Sequence, residues 1–90
     1  MLTLHTAYDV QLSMRDFLIK KRKQKRFTVE ALSTRSGVPY GTIRKFESTG
    51  NISFRQFLML CEALGKIDEM LALTKEETMP KSIEEVLKDQ

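Results

Sequence analysis

Arg44 and Lys45, with Tyr40, Gly41 and Thr42 just before them, are the residues best suited by type and spacing to do chemistry. An arginine fork donates two hydrogen bonds to guanine O6 and N7, and a threonine methyl or a tyrosine ring meets a thymine methyl or a phosphate. All five fall in the run Gly37-Val38-Pro39-Tyr40-Gly41-Thr42-Ile43-Arg44-Lys45-Phe46-Glu47-Ser48-Thr49. Ile43 and Phe46 stand three apart, the spacing of one helix face, so they are expected inward and the five polar or small residues outward. Gly41 is the odd member, because glycine inside a helix costs about 1 kcal/mol relative to alanine. Either the bare backbone approaches DNA closely there, or the cost is simply tolerated.

Such a face has to be held by other elements. Thr28 caps a short helix through Val29, Leu32 and Ser36. Gly37 ends it, because a helix end commonly needs a positive φ. Val38 plugs the turn, and Pro39 or Tyr40 begins the next helix. Two helices joined this tightly form a helix-turn-helix, whose second helix enters the major groove and presents its N-terminal side chains to base edges. Ahead of them, Ser13-x-x-Asp16 predicts the start of a first helix with Met14, Phe17 and Leu18 on its apolar stripe, running to about Lys25. Residues 1–12 read as an N-terminal arm, in which Met1 to His5 alternate weakly and Tyr8 to Leu12 offer an earlier helix start. Behind the pair, Ser48 to Asn51 is turn chemistry. Ser53-x-x-Gln56 caps a fourth helix through Phe54, Phe57, Leu58, Leu60, Cys61 and Leu64 to Gly65. Ile67 to Leu73 supplies a fifth. Thr74 to Lys81 reads as a polar linker, and Ser82-x-x-Glu85 as the cap of a last short turn through Ile83, Val86 and Leu87. The expected fold is all-α: a five-helix DNA-binding domain over 13–73 with a short flexible or helical acidic tail over 74–90.

Charge agrees with a polyanionic partner. Residues 1–61 carry 11 Lys/Arg against 4 Asp/Glu, a surplus of +7, whereas residues 62–90 carry 4 against 8, a deficit of −4. A basic body with an acidic end suits nucleic acid on the first part. Lys20 to Arg26 is the densest basic run. Charge runs are usually solvated faces, so only Arg22 and Arg26 are singled out for phosphate. The single cysteine, Cys61, excludes an intrachain disulfide and sits in an apolar stretch, in keeping with a reducing cytoplasm. No apolar run reaches membrane-spanning length and the N-terminus has no signal-peptide core. His5 has no second histidine or cysteine nearby for a metal, and no phosphate loop, nucleophile elbow or metal-ligand spacing appears, so neither a cofactor nor an enzyme is expected.

On these residues, positions 13–73 resemble the Cro/C1-type (xenobiotic-response-element) helix-turn-helix family, lambda-repressor-like in fold. The matching positions are Arg22, Thr28, Leu32, Gly37, Ile43, Glu47 and Ala63-Leu64-Gly65. The resemblance implies an ion pair between Arg22 and Glu47 that ties helix 1 to helix 3 and turns Arg22 toward a phosphate. It also implies phosphate contacts at Thr28, Asn51, Ser53 and Arg55, and a homodimer through Ile67, Met70, Leu71 and Leu73. Val29, Ser33 and Pro39 depart from the family pattern of a glutamine, an alanine and a polar cap. Two stretches, 46–54 and 63–71, are similar to the HipB-like antitoxins. That narrower likeness implies a repressor that binds operator DNA together with a HipA-like kinase toxin. The alternatives are a stand-alone or phage-type regulator with no toxin partner, and an adaptor that kept the fold without DNA.

Overall fold

The structure, a computed structural model, describes residues 4–75. The expected last turn over 82–87, most of the 74–81 linker and the first three residues of the arm lie outside that range. Within it the chain forms five helices: α1 (Ala7–Gln24), α2 (Val29–Ser36), α3 (Tyr40–Thr49), α4 (Phe54–Ala63) and α5 (Ile67–Ala72). α2 packs on both α3 and α4, α1 lies against α3, and α5 closes on α4.

Four of the five helices begin or end where side-chain chemistry requires it. Thr28 Oγ1 accepts from Ala31 N at 3.0 Å and Ser53 Oγ accepts from Gln56 N at 3.1 Å, each satisfying an amide with no intrahelical partner. Gly37 and Gly50 end α2 and α3 at φ 80° and 84°. The first helix corrects the sequence expectation. It starts at Ala7, not near Ser13, so residues 7–12 are helix rather than arm. The reason is a reciprocal cap about two turns earlier. Thr6 Oγ1 accepts from Asp9 N at 3.0 Å, and Asp9 Oδ2 accepts from Thr6 N at 3.1 Å. Ser13 is an exposed residue inside the helix.

The core is Leu18, Leu32, Val38, Ile43, Phe46, Leu60, Cys61 and Leu64, drawn from α1 to α4 and the turn. Phe57, Met59, Ile67 and Met70 pack around it, with the Phe57 ring edge-on to Phe46 at 6.2 Å. Two aromatic residues of these helices stay outside the core. Phe17 is exposed and lies 5.4 Å from Lys21 Nζ and 6.0 Å from Lys66 Nζ. Phe54 is 72% exposed at the start of α4. Helical spacing places both on an apolar face, but no described element covers that part of it.

Candidate nucleic-acid interface

The turn before α3 is locked from both sides. Gly37 takes the left-handed conformation, and Val38 behind it is fully buried. Ser33 Oγ donates to the Val38 carbonyl at 2.6 Å and Ser36 Oγ accepts from Val38 N at 3.1 Å. Ser33, which departs from the expected alanine, therefore ties α2 to the turn instead of merely filling space. Pro39 stands at the N-cap of α3, and its carbonyl accepts from Ile43 N at 3.1 Å.

α3 divides as its sequence implies. Ile43 and Phe46 are buried, and Tyr40, Gly41, Arg44 and Lys45 are exposed. Arg44 Nη1 donates to Tyr40 Oη at 2.8 Å, and its guanidinium carbon lies 5.7 Å from the Tyr40 ring centre. Tyrosine thus holds the arginine fork against the helix. Thr42 differs from its neighbours: it is half-buried and faces α4. With Gly41, Lys45, Asn51, Ser53 and Gln56 it lines an open cleft of about 420 Å³ between the N-terminal ends of α3 and α4. Gln56 was legible only as part of a cap; its place in this cleft depends on tertiary packing.

The expected phosphate residues separate into three settings. Arg22 is the lock of the scaffold. Its Nε donates to Glu47 Oε2 at 2.8 Å, its Nη2 to Glu47 Oε1 at 3.0 Å and its Nη1 to the Phe27 carbonyl at 2.8 Å. The two side chains are 12% and 17% exposed. With three of its five N–H groups committed to the protein, Arg22 acts mainly by holding α1 on α3. Arg26 and Arg55 are exposed. Arg26 also sits at φ 59°, the left-handed region usually left to glycine, where it closes α1 as Phe27 N donates to the Arg22 carbonyl at 3.1 Å. Thr28 and Ser53 spend their hydroxyls on caps at exposed helix starts.

Asn51 has a partner that sequence spacing does not reveal. Gln11 Nε2 donates to the Gly50 carbonyl at 2.7 Å and to Asn51 Oδ1 at 3.1 Å. A β-carbon on Gly50 would stand 3.1 Å from a Leu12 methyl. The first half of α1 therefore grips the α3–α4 loop, a role invisible while residues 1–12 are read as an arm.

The four residues expected to pair two copies are split. Ile67 and Met70 are half-buried against the core of their own chain, while Leu71 and Leu73 are 53% and 76% exposed. Phe54 joins them. Phe54, Met70 and Leu73 form a ridge shared by two open apolar grooves. One, of about 520 Å³, runs along Leu58, Ile67 and Leu71. The other, of about 450 Å³, runs along Val10, Met14 and Phe57.

Among the described residues no cluster of three His, Cys, Asp or Glu side chains is placed to hold a metal, and no helix is long and apolar enough to cross a membrane. Burial pushes the Cys61 thiol above its ordinary pKa, and the Glu69 carboxylate adds to the rise. No protein-family model matches this chain, and neither the curated proteins nor the solved structures compared with it yield a match.

Proposed function

We propose that this chain is a homodimeric transcriptional repressor that reads double-stranded operator DNA, built on a lambda-repressor-like helix-turn-helix. One observation carries the reading. α3 presents Tyr40, Gly41, Arg44 and Lys45 to solvent on a helix anchored by the buried Ile43 and Phe46, directly after a tight glycine turn from α2. That is the arrangement that lets a second helix enter the major groove. Exposed Arg26 and Arg55, with the capped starts of α2 and α4 at Thr28 and Ser53, supply phosphate contacts that set register, while α3 reads base edges. Asn51, at the cleft between α3 and α4, adds to the backbone contacts, and Lys45 across that cleft stands with Arg44 among the base readers.

The apolar ridge supports pairing. An isologous interface needs a knob and a hole on the same face, and the Phe54–Met70–Leu73 ridge between two grooves offers both. A paired molecule would read two half-sites about one helical turn of DNA apart. The antitoxin extension, with a HipA-like kinase toxin as a further partner, rests on the likeness of residues 46–54 and 63–71 to HipB-like proteins.

The direct test is selection of duplexes from a random-sequence DNA pool with the purified full chain. Enrichment of a two-fold symmetric motif, bound with affinity that falls steeply with salt, is the expected result. A pool that stays unenriched through repeated rounds overturns the DNA reading. Capture of the tagged chain from its native host then decides the antitoxin extension: a kinase-like protein recovered with promoter DNA supports it, and promoter DNA alone leaves a simple repressor.

A further inference from the structure

Gly37, Gly50 and Gly65 all sit at positive φ, where a side chain would strain the backbone. Gly41 does not. It lies in ordinary helical conformation in the first turn of α3, and a β-carbon built on it would meet nothing within 4 Å. The fold therefore has no use for this glycine, and helix propensity argues against it. Whatever a bare backbone at position 41 serves lies outside the described residues.

Its place on the helix says what that is. At 3.6 residues per turn, position 41 falls between positions 44 and 45 on the outward face, directly above Ser48 one further turn along. Arg44 and Lys45 thus stand on either side of a midline made of glycine and serine, all of it exposed. Arg44 is drawn toward Tyr40 by its 2.8 Å hydrogen bond. A smooth strip flanked by two cationic donors suits a flat surface lined with hydrogen-bond acceptors and set in a negative potential. The floor of a DNA major groove between its phosphate backbones has that form.

We propose that Gly41 is the seating position of α3: base edges of duplex DNA pack directly against the helix backbone there, and the depth of insertion sets which bases Arg44 and Lys45 reach. This rests on the DNA-binding reading above and adds a residue whose role is to be absent. A side chain at 41 would lift the helix and weaken several base contacts together, leaving long-range phosphate attraction in place.

The test compares Gly41→Ala and Gly41→Leu with the unaltered full chain, using the duplex enriched from the random pool and an unrelated duplex of equal length. Both substitutions place helix-favouring residues in open space, so thermal midpoints are expected to rise by about 3–6 °C. Gly41→Leu is expected to bind the enriched duplex about 10–100-fold more weakly, the loss of one or two base-edge contacts, with Gly41→Ala between it and the unaltered chain. Binding to the unrelated duplex should stay within about twofold, because its phosphate contacts persist. The same leucine in an Arg44→Ala background shows whether it acts by lifting the helix or by pushing the guanidinium aside. A persisting loss supports seating, and a vanishing one overturns it. Enriched-duplex binding by Gly41→Leu within twofold of the unaltered chain also overturns the inference while leaving the DNA reading intact. Failure to enrich any duplex removes the premise instead.

Discussion

Removing the Glu47 carboxylate should destabilise the domain by an amount the Arg22 geometry sets. In Glu47→Ala, the Nε and Nη2 donors of a guanidinium that is 12% exposed lose their acceptors at 2.8 and 3.0 Å. Breaking a fully buried ion pair costs about 3–5 kcal/mol. Partial access of water to both side chains lowers the expectation here to about 2–3 kcal/mol. Arg22→Ala should cost about 1 kcal/mol more, because it also strips the Phe27 carbonyl of its 2.8 Å donor. A domain of this size holds roughly 4–10 kcal/mol in total, so either change consumes a large share. Arg22→Lys should recover less than half, since an ammonium keeps the charge but cannot span both carboxylate oxygens. The assay is equilibrium urea denaturation of the two single variants and the double variant, closed as a thermodynamic cycle. A coupling of about 1.5 kcal/mol or more is expected. Single losses below about 0.5 kcal/mol, or a coupling near zero, would refute the claim that this pair holds α1 to α3.

The proposed interface makes further commitments. Arg44→Ala should cost about 1–3 kcal/mol on the enriched duplex and relax preference at one base pair, whereas Arg55→Ala should weaken all duplexes alike and flatten the salt dependence; competition binding across single-base variants at two salt concentrations separates them. Leu73→Asp, at a position 76% exposed, should leave the thermal midpoint nearly unchanged and convert dimer to monomer in sedimentation equilibrium; an unaltered mass would refute the ridge as the pairing surface. Arg26→Gly should stabilise the fold by about 0.5–1 kcal/mol by relieving the left-handed conformation, yet lower the salt slope of DNA binding by about one. Cys61, buried with a raised pKa, stays protonated in the folded chain at pH values where the unfolded chain ionises. The native state then holds the extra proton, so stability should fall as pH climbs past the ordinary thiol value of about 8.5, and this fall should be shallower in Cys61→Ala by urea titration.

Where local chemistry dictates the structure, the sequence was readable. α2 starts and stops at Thr28 and Gly37, α3 stops at Gly50, and α4 starts and stops at Ser53 and the Leu64-Gly65 pair, each marker acting within four residues of itself. The inward pair Ile43 and Phe46 followed from spacing alone. The start of α1 was misplaced because Thr6-x-x-Asp9 closes the same reciprocal cap as a glutamate would, and the Ser13-x-x-Asp16 signal downstream looked equally good. Phe17 was placed on the apolar stripe of α1 yet is exposed, because periodicity says which residues share a face and not whether a neighbour covers it. The grip of Gln11 on Gly50 and Asn51 joins positions 39 and 40 residues apart and leaves no local trace. On α3, spacing identified Tyr40, Gly41, Arg44 and Lys45 as outward but misplaced Thr42, which turns toward α4, and it could not show that Tyr40 restrains Arg44 or that Arg22 is largely spent on the scaffold.

Ser53, Phe54 and Arg55 are consecutive, so one turn of α4 carries a capping hydroxyl, the exposed edge of the apolar ridge and a cation. A copy that covers Phe54 immobilises the same turn that is proposed to meet phosphate. By thermodynamic reciprocity, DNA that fixes this turn tightens the pairing of copies by the same factor. Promoter occupancy would then follow the square of the free chain concentration at low abundance. A modest dilution, such as a cell division without fresh synthesis, would release the promoter abruptly rather than in proportion.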